Sequence, residues 1–372
     1  MLVHPEQTAV PVEPVEYPFT STRSRRQHPT GGRALPTTAR PVTPPAVPAG
    51  GWPSRVRSLT GIAGLARPEI EELLDEAARM KDRLRRIRAG LSPAAAFGGA
   101  LPLAGRRVLT LFFENSTRTM QSFHIAARLL GADALDLPVS RSSVAKGESL
   151  RDTARTCEAM GVDAVVIRHP VTGAARYAAA VLDVPVINAG DGTGEHPTQA
   201  LLDALTIRER LGRLEGLRVA IVGDVRHSRV ARSNVLLLTR LGAEVRLAGP
   251  PTMLPALGAF PGARVTCDLR EALDGADVVM ALRIQRERQA GPLLPDLGEY
   301  RRGWGLDAQR LRWAKPNVLV MHPGPVNRGV ELAPEVMELP NCLIEEQVTS
   351  GVAVRMAVLR WLLAPAGGEA RP

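Results

Sequence analysis

The chain has 372 residues and a formal net charge of +9, with 44 Arg, only three Lys and 38 acidic residues. At about 150 residues per domain, this length implies two domains rather than one core. No apolar run reaches the roughly 18 residues of a membrane span, and Cys157, Cys267 and Cys342 lack the close pairing of a zinc site or redox motif. Membrane insertion, a disulfide scaffold and a structural zinc site are excluded on this reading, and a cytoplasmic location is expected. Residues 1–68 carry +5 of the charge and the other 304 only +4, so the basicity does not mark a nucleic-acid-binding surface.

Residues 1–53 hold eleven of the 31 prolines with no hydrophobic period between them, which predicts a disordered, solvated tail. The acid-free, Arg- and Ser/Thr-rich stretch from Tyr17 to Pro68 has the composition of an organellar transit peptide. Three Glu and four Pro in the first eighteen residues oppose the amphipathic helix that such a peptide forms. No Met follows Met1 before Met80, so a start codon placed too far upstream is a further reading of the tail.

From Pro68 onward Ile70, Leu73, Leu74, Ala77, Met80 and Leu84 recur at helical spacing. Short apolar runs then alternate with helical stretches: Val108–Phe113, Ala164–Ile167, Val184–Ile187, Val219–Val222, Val245–Ala248, Val278–Leu282 and Val318–Met321. Fully apolar strands separated by helices predict parallel sheets covered on both faces. The fold class is therefore α/β, with two domains that each contain a parallel sheet flanked by helices and are joined by crossing helices. The break near Thr206–Gly216 places 54–205 plus 345–372 in one domain and 206–344 in the other. A final helix with Val348, Val352, Met356, Leu359 and Leu363 on one face is expected to brace the first domain. Lys81 and Lys315 are expected to be solvated surface charges.

Several loops at strand ends carry the chemistry of anion binding. The first strand runs into Glu114-Asn115-Ser116-Thr117-Arg118-Thr119 at the start of a helix, where hydroxyls, backbone N–H groups and a guanidinium can hold a phosphate. An ordinary helix cap accounts for Ser116 and Thr117 taken alone, and a hydrogen-bonded core histidine for His196. A binding site is favoured because matching chemistry recurs in other loops. Ser140–Ser149 follows a short strand and contains Ser142 and Lys146, while Arg168-His169-Pro170 and His196-Pro197-Thr198-Gln199 follow two more strands. In the second half, Gly223–Arg229 lacks the GxGxxG of a dinucleotide site, and no acid ends the next strand, so a nicotinamide cofactor is not expected. Arg229 and Arg283, with Gln285 beside the latter, suit a ligand bearing two carboxylates.

Taken in order, Ser116-Thr117-Arg118-Thr119, Ser142 to Glu148, Arg168-His169-Pro170, His196-Pro197-Thr198-Gln199, Arg283-Ile284-Gln285 and His322-Pro323-Gly324-Pro325 resemble the catalytic chains of the aspartate carbamoyltransferase family. The resemblance spans residues 55–365. It implies the carbamoyltransferase fold and transfer of a carbamoyl group from carbamoyl phosphate to L-aspartate in pyrimidine biosynthesis, with no metal or organic cofactor. It further implies that Ser116, Thr117, Arg118, Thr119, Ser142 and Arg168 meet the phosphate, and that Thr119, Arg168 and His196 meet the carbonyl oxygen. Gln199 and the carbonyls of Gly324 and Pro325 would hold the carbamoyl NH₂, and Lys146, Arg229, Arg283 and Gln285 would meet aspartate. Ser142 and Lys146 are expected to reach into a neighbouring subunit's site, so the resemblance implies a homotrimer. It also admits a larger assembly with regulatory or dihydroorotase subunits. Met120 and His124 depart from the family's usual residues and stand outside the expected ligand contacts. The ornithine-specific relatives share the phosphate half but differ in the acceptor motifs, and a non-catalytic homologue is the remaining alternative.

Overall fold

The computed structural model describes residues 54–138, 147–256, 258–285, 293–294 and 296–364. The expected tail over 1–53, and Ser142 and Lys146, lie outside these residues. The first half of the chain runs through α1 (Arg67–Arg88), α2 (Pro93–Ala96), β1 (Arg107–Phe112), α3 (Thr117–Leu129), β2 (Asp133–Pro138), α4 (Leu150–Ala159), β3 (Ala164–His169), α5 (Ala174–Val181), β4 (Val186–Asp191) and α6 (Pro197–Leu211). The second half adds β5 (Arg218–Val222), α7 (Arg229–Arg240), β6 (Glu244–Ala248), β7 (Ala263–Thr266), α8 (Leu269–Leu273), β8 (Val278–Ala281), α9 (Leu297–Trp304), α10 (Ala308–Leu311), β9 (Leu319–Met321), α11 (Pro334–Met337) and α12 (Ile344–Leu363). All described residues belong to one compact unit.

Two parallel sheets result, ordered β2-β1-β3-β4 and β7-β6-β5-β8-β9. Every pairing is parallel, with Val108 beside Ala164 in the first sheet and Val219 beside Val278 in the second. The apolar runs form these strands because both faces are covered: Val165, Val166, Val186, Ile187, Val219 and Ile221 are fully buried. Burying one such side chain contributes about 1.5–3 kcal/mol, enough to fix the register of a short strand. The predicted face of α1 is buried throughout, and α12 packs against α1, α3 and α6 as the brace the sequence suggests.

Two expectations are corrected. Lys81 is not solvated: it is 5% exposed, and its ammonium meets Glu209, lies 2.9 Å from the Ser350 hydroxyl and sits 3.5 Å from Glu346. Lys81 lies on the side of α1 that packs against α6 and α12, so its charge is paired inside the helix layer, while Glu71, Asp75, Asp82 and Arg86 stay exposed. Val348 is 47% exposed and stands off the buried face of α12, which Val352, Met356, Leu359 and Leu363 do form. Lys315 keeps a half-exposed side chain and pairs with Asp277 at 2.6 Å. The strand β7 was not among the predicted runs. Its residues Ala263-Arg264-Val265-Thr266 are polar every second position, as suits an edge strand.

Candidate active site

In each sheet the strand order reverses beside the first strand of that half, between β1 and β3 and between β5 and β8. Parallel α/β sheets bind ligands at the carboxyl ends of the strands flanking such a reversal. The loops singled out from sequence lie there: Glu114–Thr119 after β1, Arg168 and His169 at the end of β3, Gly223–Ser228 after β5, and Arg283–Gln285 after β8.

Ser116 occupies the N-cap position of α3 with extended backbone, yet its side chain makes no capping hydrogen bond. The ordinary-cap reading therefore fails, and the hydroxyl stays uncommitted to the helix. Thr117 and Arg118 are exposed in the first turn of α3, while Thr119 is buried. Arg168 donates from Nη1 to the Ala189 carbonyl at 3.1 Å, which aims its guanidinium across the top of β4.

His196 is 4% exposed at the start of α6, and its backbone N–H donates to the Ser233 hydroxyl at 2.9 Å. That hydroxyl in turn donates to Glu195, whose carboxylate also accepts the Ile62 N–H at 2.6 Å. Burial pushes the Glu195 carboxyl up, against those hydrogen bonds. Gln199 lies one turn along α6 and donates from Nε2 to Asp203 at 2.9 Å.

Arg229 begins α7 and is 2% exposed, its Nη2 donating to the Glu114 carboxylate at 2.6 Å. Glu114 also lies 3.4 Å from Nε of Arg168, so one carboxylate joins arginines from both halves of the chain. Gly190 makes room for this: a Cβ there would stand 2.8 Å from Cζ of Arg229, and its φ of +116° favours glycine independently. Glu114 belongs to the anion-binding loop that the sequence marks, where its own part is not evident from local composition. An acid placed directly at the strand end ahead of a Ser-Thr-Arg-Thr run was the available signal.

Arg283 and Gln285 are half-buried at the end of β8. The turn after β9 reaches the same region, with a cis Gly324–Pro325 peptide and Gly324 at φ +64° against the Arg118 guanidinium. Glu331 ties the two loops together, accepting the Ile284 N–H at 2.9 Å and the Asn327 N–H at 2.8 Å. Sequence reasoning missed Glu331 because its partners lie 47 and four residues away and no local pattern marks it.

The electrostatics follow from this convergence. Burial, and then the charge of Arg283, lower the proton affinity of Arg118. Burial, Arg118 and Arg283 together push His322 down to about 3, so its ring is neutral at physiological pH. Its Nδ1 accepts the Gly324 N–H at 2.8 Å, which puts the ring proton on Nε2. Four arginines, Arg118, Arg168, Arg229 and Arg283, thus line the two crevices, and Glu114 is the carboxylate paired among them. Such a convergence of guanidinium groups suits an anionic ligand. Among the described residues no cluster of three or more His, Cys, Asp or Glu could hold a metal ion, and no helix is long and apolar enough to cross a membrane. Met120 is half-buried. His124 faces away into a contact with Thr110, Nε2 to Oγ1 at 3.0 Å.

Comparison with known proteins agrees with this geometry. Residues 57–209 match the aspartate/ornithine carbamoyltransferase, carbamoyl-P binding domain, and residues 215–362 match the Asp/Orn binding domain. The aspartate carbamoyltransferase catalytic subunit of Pelotomaculum thermopropionicum is 53% identical over 303 residues, covering 82% of this chain and 95% of that protein. That of Sorangium cellulosum is 53% identical over 322 residues, covering 85% and 97%. Among solved structures, aspartate transcarbamoylase from Trypanosoma cruzi in complex with carbamoyl phosphate and aspartate matches with a TM-score of 0.72 at 34% identity, over 83% of this chain and 96% of that one. Two parallel sheets, a cleft of arginines at their switch points and these matches over both halves establish that the chain belongs to the aspartate/ornithine carbamoyltransferase family.

Proposed function

We propose that this protein is an aspartate carbamoyltransferase, making N-carbamoyl-L-aspartate and phosphate from carbamoyl phosphate and L-aspartate for pyrimidine biosynthesis. The observation that carries the reading is the meeting of Arg118 with Arg283 and of Arg168 with Arg229 through Glu114. A dianionic donor and a dicarboxylate acceptor match guanidinium groups gathered in this way.

In this reading Ser116, Thr117, Arg118, Thr119 and Arg168 hold the phosphate at the start of α3, where the helix dipole adds to the guanidinium charge. Thr119, Arg168 and His196 donate to the carbonyl oxygen, which gains negative charge as the aspartate amine adds to the carbon. Gln199 and the carbonyls of Gly324 and Pro325 accept from the carbamoyl NH₂ and fix the plane of the group. Arg229, Arg283 and Gln285 bind the two carboxylates of aspartate and bring its amine to the carbon. The tetrahedral intermediate collapses by breaking the bond to the phosphate oxygen, and the departing phosphate takes the amine proton. Positioning and electrostatic stabilisation supply the rate.

The domains divide as 54–205 plus 345–372 and 206–344. The active form is a cytoplasmic homotrimer in which Ser142 and Lys146 complete a neighbour's site, and such a trimer is compatible with a larger assembly that includes regulatory or dihydroorotase subunits. The deciding assay supplies carbamoyl phosphate with either L-aspartate or L-ornithine and follows phosphate release. Release with aspartate alone is expected, since the ornithine ammonium is repelled by Arg229 and Arg283. Release only with ornithine, or with neither, overturns the proposal, and sedimentation of the active species tests the trimer.

A further inference from the structure

Behind Gln199, on the side away from the cleft, α6, α7 and α12 meet around one carboxylate. Asp203 is fully buried, and three side-chain amides converge on it. Gln199 Nε2 donates to Oδ1 at 2.9 Å, Gln347 Nε2 donates to the same oxygen at 2.7 Å, and Asn234 Nδ2 donates to Oδ2 at 2.8 Å. A carboxylate can only accept, so it dictates which end each amide turns toward it.

Two of the three amides make a second hydrogen bond as well. Asn234 Nδ2 also donates to the Val230 carbonyl at 3.1 Å, and Gln347 Oε1 accepts the His322 N–H at 3.0 Å. Gln199 has no second hydrogen bond among the described residues, so its orientation rests on Asp203 alone. With its NH₂ drawn back to Asp203, the only group Gln199 can offer the cleft is its carbonyl oxygen. Through Gln347 the same carboxylate also anchors the backbone at His322, two residues before Gly324.

We infer that Asp203 is a positioning residue for donor selectivity: it locks Gln199 as a pure hydrogen-bond acceptor facing the carbamoyl NH₂ and steadies the turn that offers the other acceptors. The inference rests on the carbamoyl-transfer reading above and adds the part of the chain that distinguishes an NH₂ from a methyl group on the transferred carbon. An acyl phosphate with a methyl in that place, acetyl phosphate, has the same shape but nothing to donate. A site built to pair an N–H rejects an analogue lacking it.

The test measures kcat/KM of the full chain with carbamoyl phosphate and with acetyl phosphate, each with L-aspartate, in the unaltered protein and in Asp203→Asn. Asp203→Asn leaves one acceptor oxygen for three donors, Gln199 and Gln347 sharing the Oδ1 place and Asn234 taking the Oδ2 place; Asn234 and Gln347 are each held by a second bond, so Gln199 is the amide that can flip at least cost. The ratio of carbamoyl to acetyl transfer is expected to fall about tenfold or more. Adding Asn234→Asp restores a carboxylate partner for the new NH₂ and is expected to recover part of that loss. A purely structural role would lower both activities in parallel, and an unchanged ratio in Asp203→Asn overturns the inference. Absence of any carbamoyl transfer by the unaltered chain overturns the functional reading, and this inference with it.

A second measurement needs no variant. Burial raises the Asp203 carboxyl to about 6, against the three amides and Arg355. Arg355 on α12, held down to about 10 by burial, and His322 beyond Gln347, neutral above about 3, do not change charge between pH 5 and 8. Protonated Asp203 becomes a donor, so the carbamoyl-to-acetyl ratio of the unaltered chain is expected to decline as pH falls through 6. A ratio constant from pH 5 to 8 counts against the inference.

Discussion

The Glu114 carboxylate stands 2.6 Å from Nη2 of Arg229, joining the loop after β1 to the start of α7. It is a bond between the two halves of the chain, and it gives a nearly fully buried guanidinium its counter-charge. Glu114→Gln keeps the shape and a weaker acceptor but removes that charge. A charged hydrogen bond of this kind contributes about 2 kcal/mol, so we expect aspartate KM to rise at least tenfold while carbamoyl phosphate binding changes less. Steady-state kinetics with each substrate varied in turn check this.

Gly324 is the point where the turn after β9 touches the phosphate half. A Cβ at this position would stand 3.0 Å from Cζ of Arg118, on a backbone at φ +64°. Gly324→Ala adds about 1–3 kcal/mol of backbone strain and displaces the guanidinium. Carbamoyl phosphate affinity is expected to drop by about tenfold or more, measured by calorimetric titration; retained affinity would show that Arg118 does not contact that ligand.

His196 has its backbone fixed by Ser233 and its ring buried at the mouth of α6. Losing one donor to a developing oxyanion costs about 3 kcal/mol in the barrier. His196→Ala should therefore reduce kcat by roughly two orders of magnitude with a smaller change in KM. An unaltered turnover number would remove His196 from the reaction.

Lys81 separates stability from catalysis. Its ammonium is enclosed by Glu209, Glu346 and Ser350 between α1, α6 and α12. Lys81→Met removes the cation shared by two part-buried carboxylates, which keep Arg85 and Arg210 as partners, at a cost of about 1–3 kcal/mol. Urea denaturation should show the loss in the midpoint, while KM for both substrates stays as in the unaltered chain.

The pH dependence of stability has two opposed contributions. His322 is held at about 3 when folded, below its ordinary 6.5, so the unfolded chain gains a proton first and stability is lost as pH falls from 6.5 toward 3. Asp203 is held at about 6, above its ordinary 3.8, so ionisation penalises the fold, and stability is regained as pH falls from 6 toward 4. Over pH 6.5 to 4 the first amounts to about 3 kcal/mol and the second to about 2, so they largely offset each other. His322→Asn keeps an acceptor for the Gly324 N–H but removes the first contribution. Relative to the unaltered chain it should gain about 3 kcal/mol between pH 6.5 and pH 4, read from urea midpoints across that range.

The strands and most site loops were legible in the sequence for a local reason. Runs such as Val219–Val222 are apolar at every position, which only a sheet covered on both faces accommodates, and each run ends in a loop whose composition states its own chemistry. Arg118, Arg168, His196, Arg229 and Arg283 could be selected in this way, and the structure sets the four arginines at the two switch points and His196 after the edge strand β4. What the sequence could not decide is which charged or polar side chain meets which across the fold. Lys81 reads as a surface charge until α12, more than 260 positions later, closes over it. Glu114, Glu331 and Asp203 each act through partners brought by other helices and loops. A buried carboxylate is tolerated only where its partners converge. That convergence is a property of tertiary packing and leaves no periodic trace in the chain.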